Sequence, residues 1–361
     1  MQTLARSQAA VLEQVSRPST LRVAVAGRVT AMAAPGGGEV QLQATTQALC
    51  AVGIDAVLWR PWEQPLEEFQ LLHVFGSAAE HLPLVHAAKK LGLRVALSTI
   101  AWYDLACSWR EPGLRKFSAS AKFLLRAACP WIPAWRRRLY HSVDLLLPNS
   151  QAEAEQLQRY FGVPSSKIVV VPNGADERFA APANEPLSEV PHENYVLYAG
   201  RIESRKNQLG FLRAMRGSGI PLVIVGDVVP GYEDYFKACQ QAADESVTFL
   251  GRIPHGDRRL ECLYARAGAL CLASWFETPG LVALEAGMSG VPLVLPIAGA
   301  APEYFGELAQ YVHSNDRRGI RAAVERALAR GRDAALADLV RRNFTWSTTA
   351  QRTGEAYACL A

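Results

Sequence analysis

Short apolar runs alternate with longer amphipathic stretches along most of this chain. The runs lie at 21–26, 55–59, 71–75, 94–99, 143–147 and 168–171, and then at 195–199, 222–225, 247–250, 269–273 and 292–296. Each run is short and mostly apolar, which is typical of strands in a parallel sheet that helices cover on both faces. The pattern predicts an α/β protein with two Rossmann-like, doubly wound domains that face a cleft.

The break between the two series of runs predicts the domain organisation. We expect an N-terminal Rossmann-like domain at 1–180, which binds the acceptor, and a polar, proline-containing linker at 181–193. A C-terminal Rossmann-like domain at 194–344 would follow, and then a final helix at 345–361. The pattern of this helix does not indicate which domain it packs against. Ligands bind outside the carboxyl ends of strands in such sheets, so motifs that follow a strand are the leading candidates.

Composition narrows the class of protein. Of 361 residues, 50% are hydrophobic, which suits two packed cores and excludes a disordered chain. The seven cysteines include no C-x-x-C pair, and their odd number argues against a disulfide framework and favours a reducing, cytoplasmic setting. Charges at Arg6, Glu13 and Arg17 argue against a secretory signal. Glycines and prolines divide the apolar segment 281–302, which we interpret as buried core.

The first candidate site follows the predicted strand 195–199. Arg201 and Lys206 lie in the loop 200–207, before a predicted helix at 207–215. An arginine fork, a lysine ammonium and the free N–H groups of a helix start suit the binding of a diphosphate. A solvated basic loop has the same composition, so this motif alone leaves both interpretations open.

The second candidate site follows the predicted strand 269–273. Thr278 and Pro279 are predicted to begin a helix as its N-cap and first residue, with Glu277 just before it and Glu285 about two turns on. Glu277 would bind sugar hydroxyls in front of the helix N–H groups. Glu285 is either a structural group with a protein partner or a ligand of a ribose diol, because a buried carboxylate needs donors.

A third candidate is the run of glycines at 36–38, between strand 21–26 and a helix that begins near residue 39. Glycines allow close approach of the backbone to a ligand, but such a connection is weak evidence by itself.

Together these motifs resemble the retaining nucleotide-sugar glycosyltransferases of family 4, which have the GT-B fold. The resemblance covers most of the chain and is carried by GGG at 36–38, LLHVFG at 71–76, LLPNSQAEAEQL at 146–157, VVVPNGADERF at 169–179, YAGRIESRKN at 198–207, VTFLGRIP at 247–254 and ETPGLVALEAGMSGVPLV at 277–294. It implies a hexosyltransferase that moves a sugar from a nucleoside-diphosphate sugar to an acceptor with retention of configuration.

The resemblance also implies which residues bind the donor: Gly37, Gly38, Arg201, Lys206, Arg252, Ile253, Glu277, Gly280, Leu281, Val282 and Glu285. Arg201 and Lys206 would hold the diphosphate with help from the amides at 280–282. Glu285 would bind the ribose, and Glu277 would contact the transferred sugar. Arg201, Lys206 and Glu277 are the implied catalytic residues, since catalysis would consist mainly of stabilising charge on the diphosphate and positioning the acceptor.

The remaining donor contacts would come from two other segments. The backbone around Arg252 and Ile253 would meet the base. Gly37 and Gly38 would lie across the cleft, beside the phosphates and the acceptor.

The chain departs from the family at one position. A histidine often follows the fourth strand of the first domain in the family, whereas this chain reads LSTIAW at 97–102. Ser98, Thr99 and Asp104 are the polar residues nearby. No Asp-x-Asp motif occurs at a strand end, and no histidines have metal-ligand spacing, so we expect no metal and no cofactor besides the donor.

Two other functions fit parts of the pattern. A nucleotide-sugar epimerase would need acid and base residues near the sugar, which these motifs do not supply. A catalytically silent sugar-nucleotide-binding or scaffold protein is compatible with the missing histidine. Slow donor hydrolysis would distinguish an enzyme from a protein that only binds.

A basic segment at 109–138 predicts where the protein works. It contains eight cations and only one carboxylate, Glu111, with aromatic residues between the cations. Such a surface suits anionic lipid, and its candidate residues are Arg115, Lys116, Lys122, Arg126, Trp131, Trp135, Arg136, Arg137 and Arg138.

We therefore expect a peripheral protein on the inner face of the cytoplasmic membrane. Its acceptor would be a glycan or lipid-linked, as in assembly of a bacterial envelope polysaccharide. A basic helix packed on its own sheet would have the same composition. Nucleic acid is not expected, because no recognition fold accompanies the charge.

Overall fold

The computed structural model contains two α/β domains, each built on a parallel sheet. It describes residues 21–28, 36–103, 134–180, 185–190, 192–278 and 280–360, together with Ala121, Leu124, Leu125, Ala128 and Cys129. Two doubly wound Rossmann-like domains, expected from the apolar runs, are confirmed.

In the described residues, the first domain has five parallel strands in the order β2-β1-β3-β4-β5. They are β1 Arg22–Ala26, β2 Asp55–Leu58, β3 Leu71–Phe75, β4 Arg94–Ser98 and β5 Leu145–Leu146. Its helices are α1 Gly37–Ala51, α2 His81–Lys90, α3 Trp135–Ser142 and α4 Gln151–Phe161. Successive strand residues pack into opposite layers: Ala24 lies in one and Val23 and Val25 in the other. Both faces are buried, which explains why the runs are mostly apolar.

The run at 168–171 does not form the full strand that the pattern predicts. Ile168 makes a single parallel bridge to Leu146, and the N–H groups of Val169 and Val171 donate to the carbonyls of Leu146 and Pro148. Pro148 has no N–H group to donate in return, so the ladder between these segments cannot extend.

The described part of the second domain has six parallel strands in the order β11-β10-β9-β6-β7-β8. They are β6 Tyr195–Ala199, β7 Leu222–Val225, β8 Val247–Gly251, β9 Ala267–Cys271, β10 Leu293–Pro296 and β11 Ala309–Val312. Its helices are α5 Gln208–Met215, α6 Glu233–Ala242, α7 Arg259–Arg266, α8 Leu281–Met288, α9 Ala301–Phe305, α10 Arg317–Arg330 and α11 Ala334–Asn343. The pattern missed β11, an edge strand with two partly exposed residues and no continuous apolar run.

The strand order determines which loops can form a site. It reverses direction between β1 and β3 in the first sheet, and between β6 and β9 in the second. Ligands bind at such switch points in doubly wound folds. The loops after β1, β6 and β9, which carry the three candidate motifs, all lie at a switch point.

The final helix, α12 Trp346–Ala358, packs on the first domain. Its Ala350 and Tyr357 share an apolar layer with Val23, and the Tyr357 hydroxyl lies 2.6 Å from His73 Nδ1. The chain therefore crosses between the domains twice. At the crossing, a Cβ on Gly174 would lie 2.3 Å from the carbonyl carbon of Thr345, so a side chain there would clash.

No helix in the described parts of the chain is long and apolar enough to span a lipid bilayer. The segment 281–302 forms α8, β10 and the start of α9.

Candidate active site

Lys206 and Glu277 form a buried ion pair at the switch point of the second sheet. Lys206 Nζ lies 2.6 Å from Glu277 Oε1, and the Ser274 hydroxyl donates to the same oxygen at 2.6 Å. Only 11% and 5% of the two charged side chains are exposed. Because β6 and β9 are neighbours, residues of both predicted motifs meet here.

Burial and charge act in opposite directions on this pair. Burial by itself would raise the pKa of Glu277, but the charges of Lys206 and Arg205 hold that pKa below its ordinary value. Burial lowers the pKa of Lys206, although the Glu277 carboxylate acts to raise it. The ammonium has three donors, and its bond to Glu277 uses one of them. Another can therefore reach a second anion.

The backbone at Lys206 is held rigidly. Asn207 adopts a left-handed conformation, with φ of 58°, and its Nδ2 donates to the carbonyls of Ala273 at 2.9 Å and Ser314 at 2.8 Å. The hydroxyl of Tyr198 donates to the carbonyl of Lys206. Contacts from β6 and from the segments after β9 and β11 thus hold the backbone from which the Lys206 side chain extends.

Arg201 reaches the first domain. Its side chain is 45% exposed and lies 3.5 Å from Glu203 Oε1, and a Cβ on Gly36 would be 3.5 Å from Arg201 Nη1. Gly36 caps α1, which begins at Gly37, and its N–H donates to Glu39 Oε2 at 2.6 Å. A guanidinium beside a helix N-terminus is an arrangement that attracts anions.

The helix after β9 begins later than the sequence predicts. It begins at Leu281, with Gly280 as its cap at φ of 68°, so the prediction of Thr278 as N-cap and Pro279 as first residue is wrong. The backbone of Glu277 bonds to Ala298 and Ala300, which keeps the chain extended through that position. The chain can begin the helix only after this extended segment ends.

The starts of α8 and α1 face each other across the cleft. A Cβ on Gly37 would lie 3.9 Å from Leu281 Cδ1, and a Cβ on Gly38 would lie 3.9 Å from Ile100 Cδ1. The structure therefore brings together Gly37, Gly38 and Leu281, with Gly280 and Val282 beside Leu281 in sequence. The first N–H groups of a helix have no carbonyl partner within it.

Both oxygens of Glu285 have protein partners. His255 Nε2 lies 2.9 Å from Oε1, and the Tyr264 hydroxyl donates to Oε2 at 2.6 Å. The sequence left a structural and a ligand-binding interpretation open, and the structure supplies the partners that the first requires. His255 and Tyr264 were missed, although His255 comes three residues after Arg252 in a loop already selected.

A cavity of about 810 Å³ lies between the domains, next to the group formed by Glu285, His255 and Tyr264. Glu39 and Gln43 of α1 line one side, and Arg252 and His255 line the other. His255 therefore connects the cavity to Glu285. Ile253 packs against the core of the second domain, so its side chain does not line the cavity.

Neither Ser98, at the end of β4, nor Thr99, in the turn that follows, replaces the family histidine. The Ser98 hydroxyl lies 2.9 Å from His73 Nε2, and the Thr99 hydroxyl donates to Glu153 Oε1 at 2.5 Å. Both residues are buried. Asp104 lies outside the described residues, and Ile100 is the side chain that faces Gly38.

Most of the predicted basic surface lies outside the described residues, namely Arg115, Lys116, Lys122, Arg126 and Trp131. Trp135, Arg136, Arg137 and Arg138 begin α3, and of these four Arg138 is exposed and the others are partly buried. The guanidinium of Arg136 lies 4.3 Å from the centre of the Trp135 ring.

Within the described ranges, no group of three or more His, Cys, Asp or Glu residues could hold a metal ion. That the protein needs no metal stays a prediction.

Comparison with protein families finds two matches. Residues 35–179 match the model for Glycosyltransferase Family 4, and residues 181–340 match that for Glycosyl transferases group 1.

The chain is similar to several curated proteins. Glycogen synthase of Mycobacterium tuberculosis is 29% identical over 250 residues, which are 63% of this chain and 59% of that protein. O-antigen chain mannosyltransferase B of Escherichia coli is 28% identical over 254 residues, which are 62% of this chain and 64% of that protein. The chain thus spans about three fifths of the length of these relatives.

Solved structures share the fold. Sucrose-phosphate synthase from Thermosynechococcus elongatus has a TM-score of 0.70 at 18% identity, covering 94% of this chain and 99% of that one. Anabaena Alr3699/HepE, solved in complex with UDP and glucose, has a TM-score of 0.67 at 16% identity, covering 94% and 99%. The predicted GT-B fold is confirmed.

Proposed function

Because this chain belongs to the glycosyltransferases, with a family 4 domain followed by a group 1 domain on the GT-B fold, we propose that it transfers a sugar from a nucleoside-diphosphate sugar, with retention of configuration. The observation that carries the proposal is the Lys206–Glu277 pair at the switch point, with Arg201 reaching from the same loop toward the first domain. The complex of Alr3699/HepE with UDP and glucose supports a donor of this class.

The charges of the site suit a donor that lies across the cleft. The diphosphate would lie between the starts of α1 and α8, where Arg201, Lys206 and free helix N–H groups offer donors. Glu277, paired with Lys206, would hold hydroxyls of the transferred sugar beside the phosphates. Glu285 would accept from the ribose in addition to His255 and Tyr264, and the cavity beside His255 would take the nucleoside.

The proposed reaction needs little from the protein besides charge and position. Arg201 and Lys206 would stabilise the charge that develops on the departing phosphate. The departing phosphate oxygen would take the proton of the acceptor hydroxyl on the same face of the sugar. Ile100, whose side chain faces Gly38, has no group that accepts a proton, so the phosphate is the base in this proposal.

Donor binding and turnover test the proposal directly. A thermal-shift panel of UDP-, GDP-, ADP- and dTDP-sugars should identify one base, since a ligand at 100 times its dissociation constant adds about 2.7 kcal/mol of stability. Slow release of free nucleotide from that donor should follow, and NMR of the product should show the donor's anomeric configuration. Binding without any turnover would instead indicate a silent sugar-nucleotide-binding protein.

We propose further that the acceptor is lipid-linked and that the basic segment 109–138 meets an anionic membrane. Leu124 and Leu125 within that segment are 54% and 55% exposed, and Arg138 is exposed at the start of α3. Exposed leucines among cations suit the interface of a bilayer. Each basic residue near an anionic surface contributes about 1 kcal/mol.

Co-sedimentation with vesicles tests this second part. Binding should require anionic lipid, fall as salt rises, and weaken when Arg115, Lys116 and Arg138 become Ser. The matched control replaces three cations of the second domain whose side chains are largely exposed: Lys237, Arg258 and Arg342. Equal recovery with neutral and anionic vesicles would favour a soluble acceptor and a basic helix packed on its own sheet.

A further inference from the structure

We propose that Trp102 and Phe276 form a subsite for the acceptor, in which the apolar face of a pyranose ring stacks on the indole of Trp102. The proposal rests on the proposed function, because it places an acceptor sugar beside the donor site. It assigns a role to two aromatic residues that the donor-binding motifs do not include.

The two rings meet across the cleft. Trp102 belongs to the turn after β4 in the first domain, whereas Phe276 directly precedes Glu277 in the second. Their ring centres are 6.3 Å apart, and their planes differ by 18°. Phe276 is thus the sequence neighbour of Glu277, the residue proposed to hold the transferred sugar, and an acceptor hydroxyl must approach that sugar.

The turn that presents Trp102 is held in an unusual conformation. Ile100 has a φ of 45°, a left-handed value that β-branched residues rarely adopt. The buried carboxylate of Glu153 accepts from the Ala101 N–H at 2.7 Å, and Gln156 Oε1 accepts from the Tyr103 N–H at 2.7 Å. Side chains of α4 thus hold the backbone on both sides of Trp102. Strain maintained in this way clusters at functional sites.

The polar edge of the indole has no partner in the described structure. The Trp102 N–H is buried, and no acceptor among the described residues bonds to it. On the other ring, the Arg205 guanidinium lies 5.2 Å from the centre of Phe276. A sugar ring combines an apolar C–H face with a rim of hydroxyls, so it can cover the indole and supply an oxygen to this N–H.

The spacing of the rings indicates how the sugar enters. Two successive carbon contacts of about 4 Å need ring centres about 8 Å apart. The observed 6.3 Å is closer than that. The two rings must therefore separate by about 2 Å, after which the sugar lies between them and contacts both.

Fluorine NMR of the full chain labelled with 5-fluorotryptophan tests the subsite. The Trp102 resonance is assigned by its loss in Trp102→Phe, and the probes are the methyl α-pyranosides of glucose, galactose and mannose. At least one should shift the Trp102 resonance saturably and leave that of Trp62, which is 97% exposed, unchanged. Trp102→Ala should weaken binding of that probe about 5- to 10-fold, and Trp62→Ala should not.

Phe276→Ala is the second variant, because the ring is only partly buried and its loss should not prevent folding. It should weaken pyranoside binding to a similar extent. A Trp102 resonance that none of the three probes shifts, or pyranoside binding that neither variant weakens, overturns the subsite. If the wild-type chain binds no nucleoside diphosphate, the proposed function fails instead, and thermal shift measures this separately.

Discussion

Replacing Glu153 with Gln would measure how much the buried carboxyl that holds the turn after β4 contributes to the free energy of unfolding. The carboxyl is fully buried, and it accepts hydrogen bonds from the Thr99 hydroxyl and from the N–H groups of Ala101 and Asn149. Burial raises the pKa of Glu153 from 4.5 to about 7, although these hydrogen bonds act to lower it. Glutamine keeps the shape of the side chain but removes the titration.

The raised pKa determines the sign of the pH dependence. Between pH 4.5 and about 7 the native state binds the Glu153 proton more tightly than the unfolded state does, so the free energy of unfolding falls as pH rises. The contribution is fully present below pH 4.5 and is lost as the pH rises to about 7. A shift of this size corresponds to about 3 kcal/mol.

Urea unfolding of the wild type and of Glu153→Gln at pH 5, 6, 7 and 8 is the assay. The wild-type free energy minus that of the variant should be larger at pH 5 than at pH 8 by about 2 to 3 kcal/mol. In the variant, the N–H₂ group of glutamine lies where a carboxylate oxygen accepted from a backbone N–H, so two donors face each other. This lowers the variant's free energy of unfolding by about 1–3 kcal/mol at every pH.

The matched control is Glu155→Gln, which changes an exposed glutamate on the same helix. Its difference from the wild type should not follow this pH dependence. A constant difference between the wild type and Glu153→Gln from pH 5 to pH 8 would refute the reasoning, because it would mean that Glu153 titrates alike in both states.

Three further predictions concern the donor site. Arg201→Ala should weaken donor binding about 10- to 100-fold without lowering the melting temperature. Lys206→Ala should lower both the donor affinity and the melting temperature, because it leaves Glu277 buried without its cation. An unchanged donor dissociation constant in both variants would exclude a diphosphate at this loop. Glu277→Gln should reduce transfer and leave affinity for the free nucleoside diphosphate nearly intact, while Glu285→Gln should weaken both, and identical behaviour of the two would show that their roles are not divided. Activity should survive exhaustive EDTA treatment, and a loss that Mn²⁺ or Mg²⁺ restores would contradict metal-independent transfer.

The sequence by itself determined the elements whose burial leaves a local pattern. Strands covered on both faces are mostly apolar along their whole length, so β3 and β6 lie where the runs at 71–75 and 195–199 predict them. The three loops of the candidate site were found because each follows such a strand. β11 was not predicted, because two of its four residues are partly exposed and it forms no continuous apolar run.

Only the tertiary structure decided which residues meet. Lys206 and Glu277 are 71 positions apart, and they pair because β6 and β9 are neighbours in the sheet. His73 and Tyr357 are 284 positions apart, and their contact places the final helix on the first domain. The start of α8 depends on a bridge from Glu277 to Gly299 in a segment that follows the helix. Local periodicity reports how a residue is buried, whereas its partner depends on strand order and on how the two domains pack, which the periodicity of a single segment does not contain.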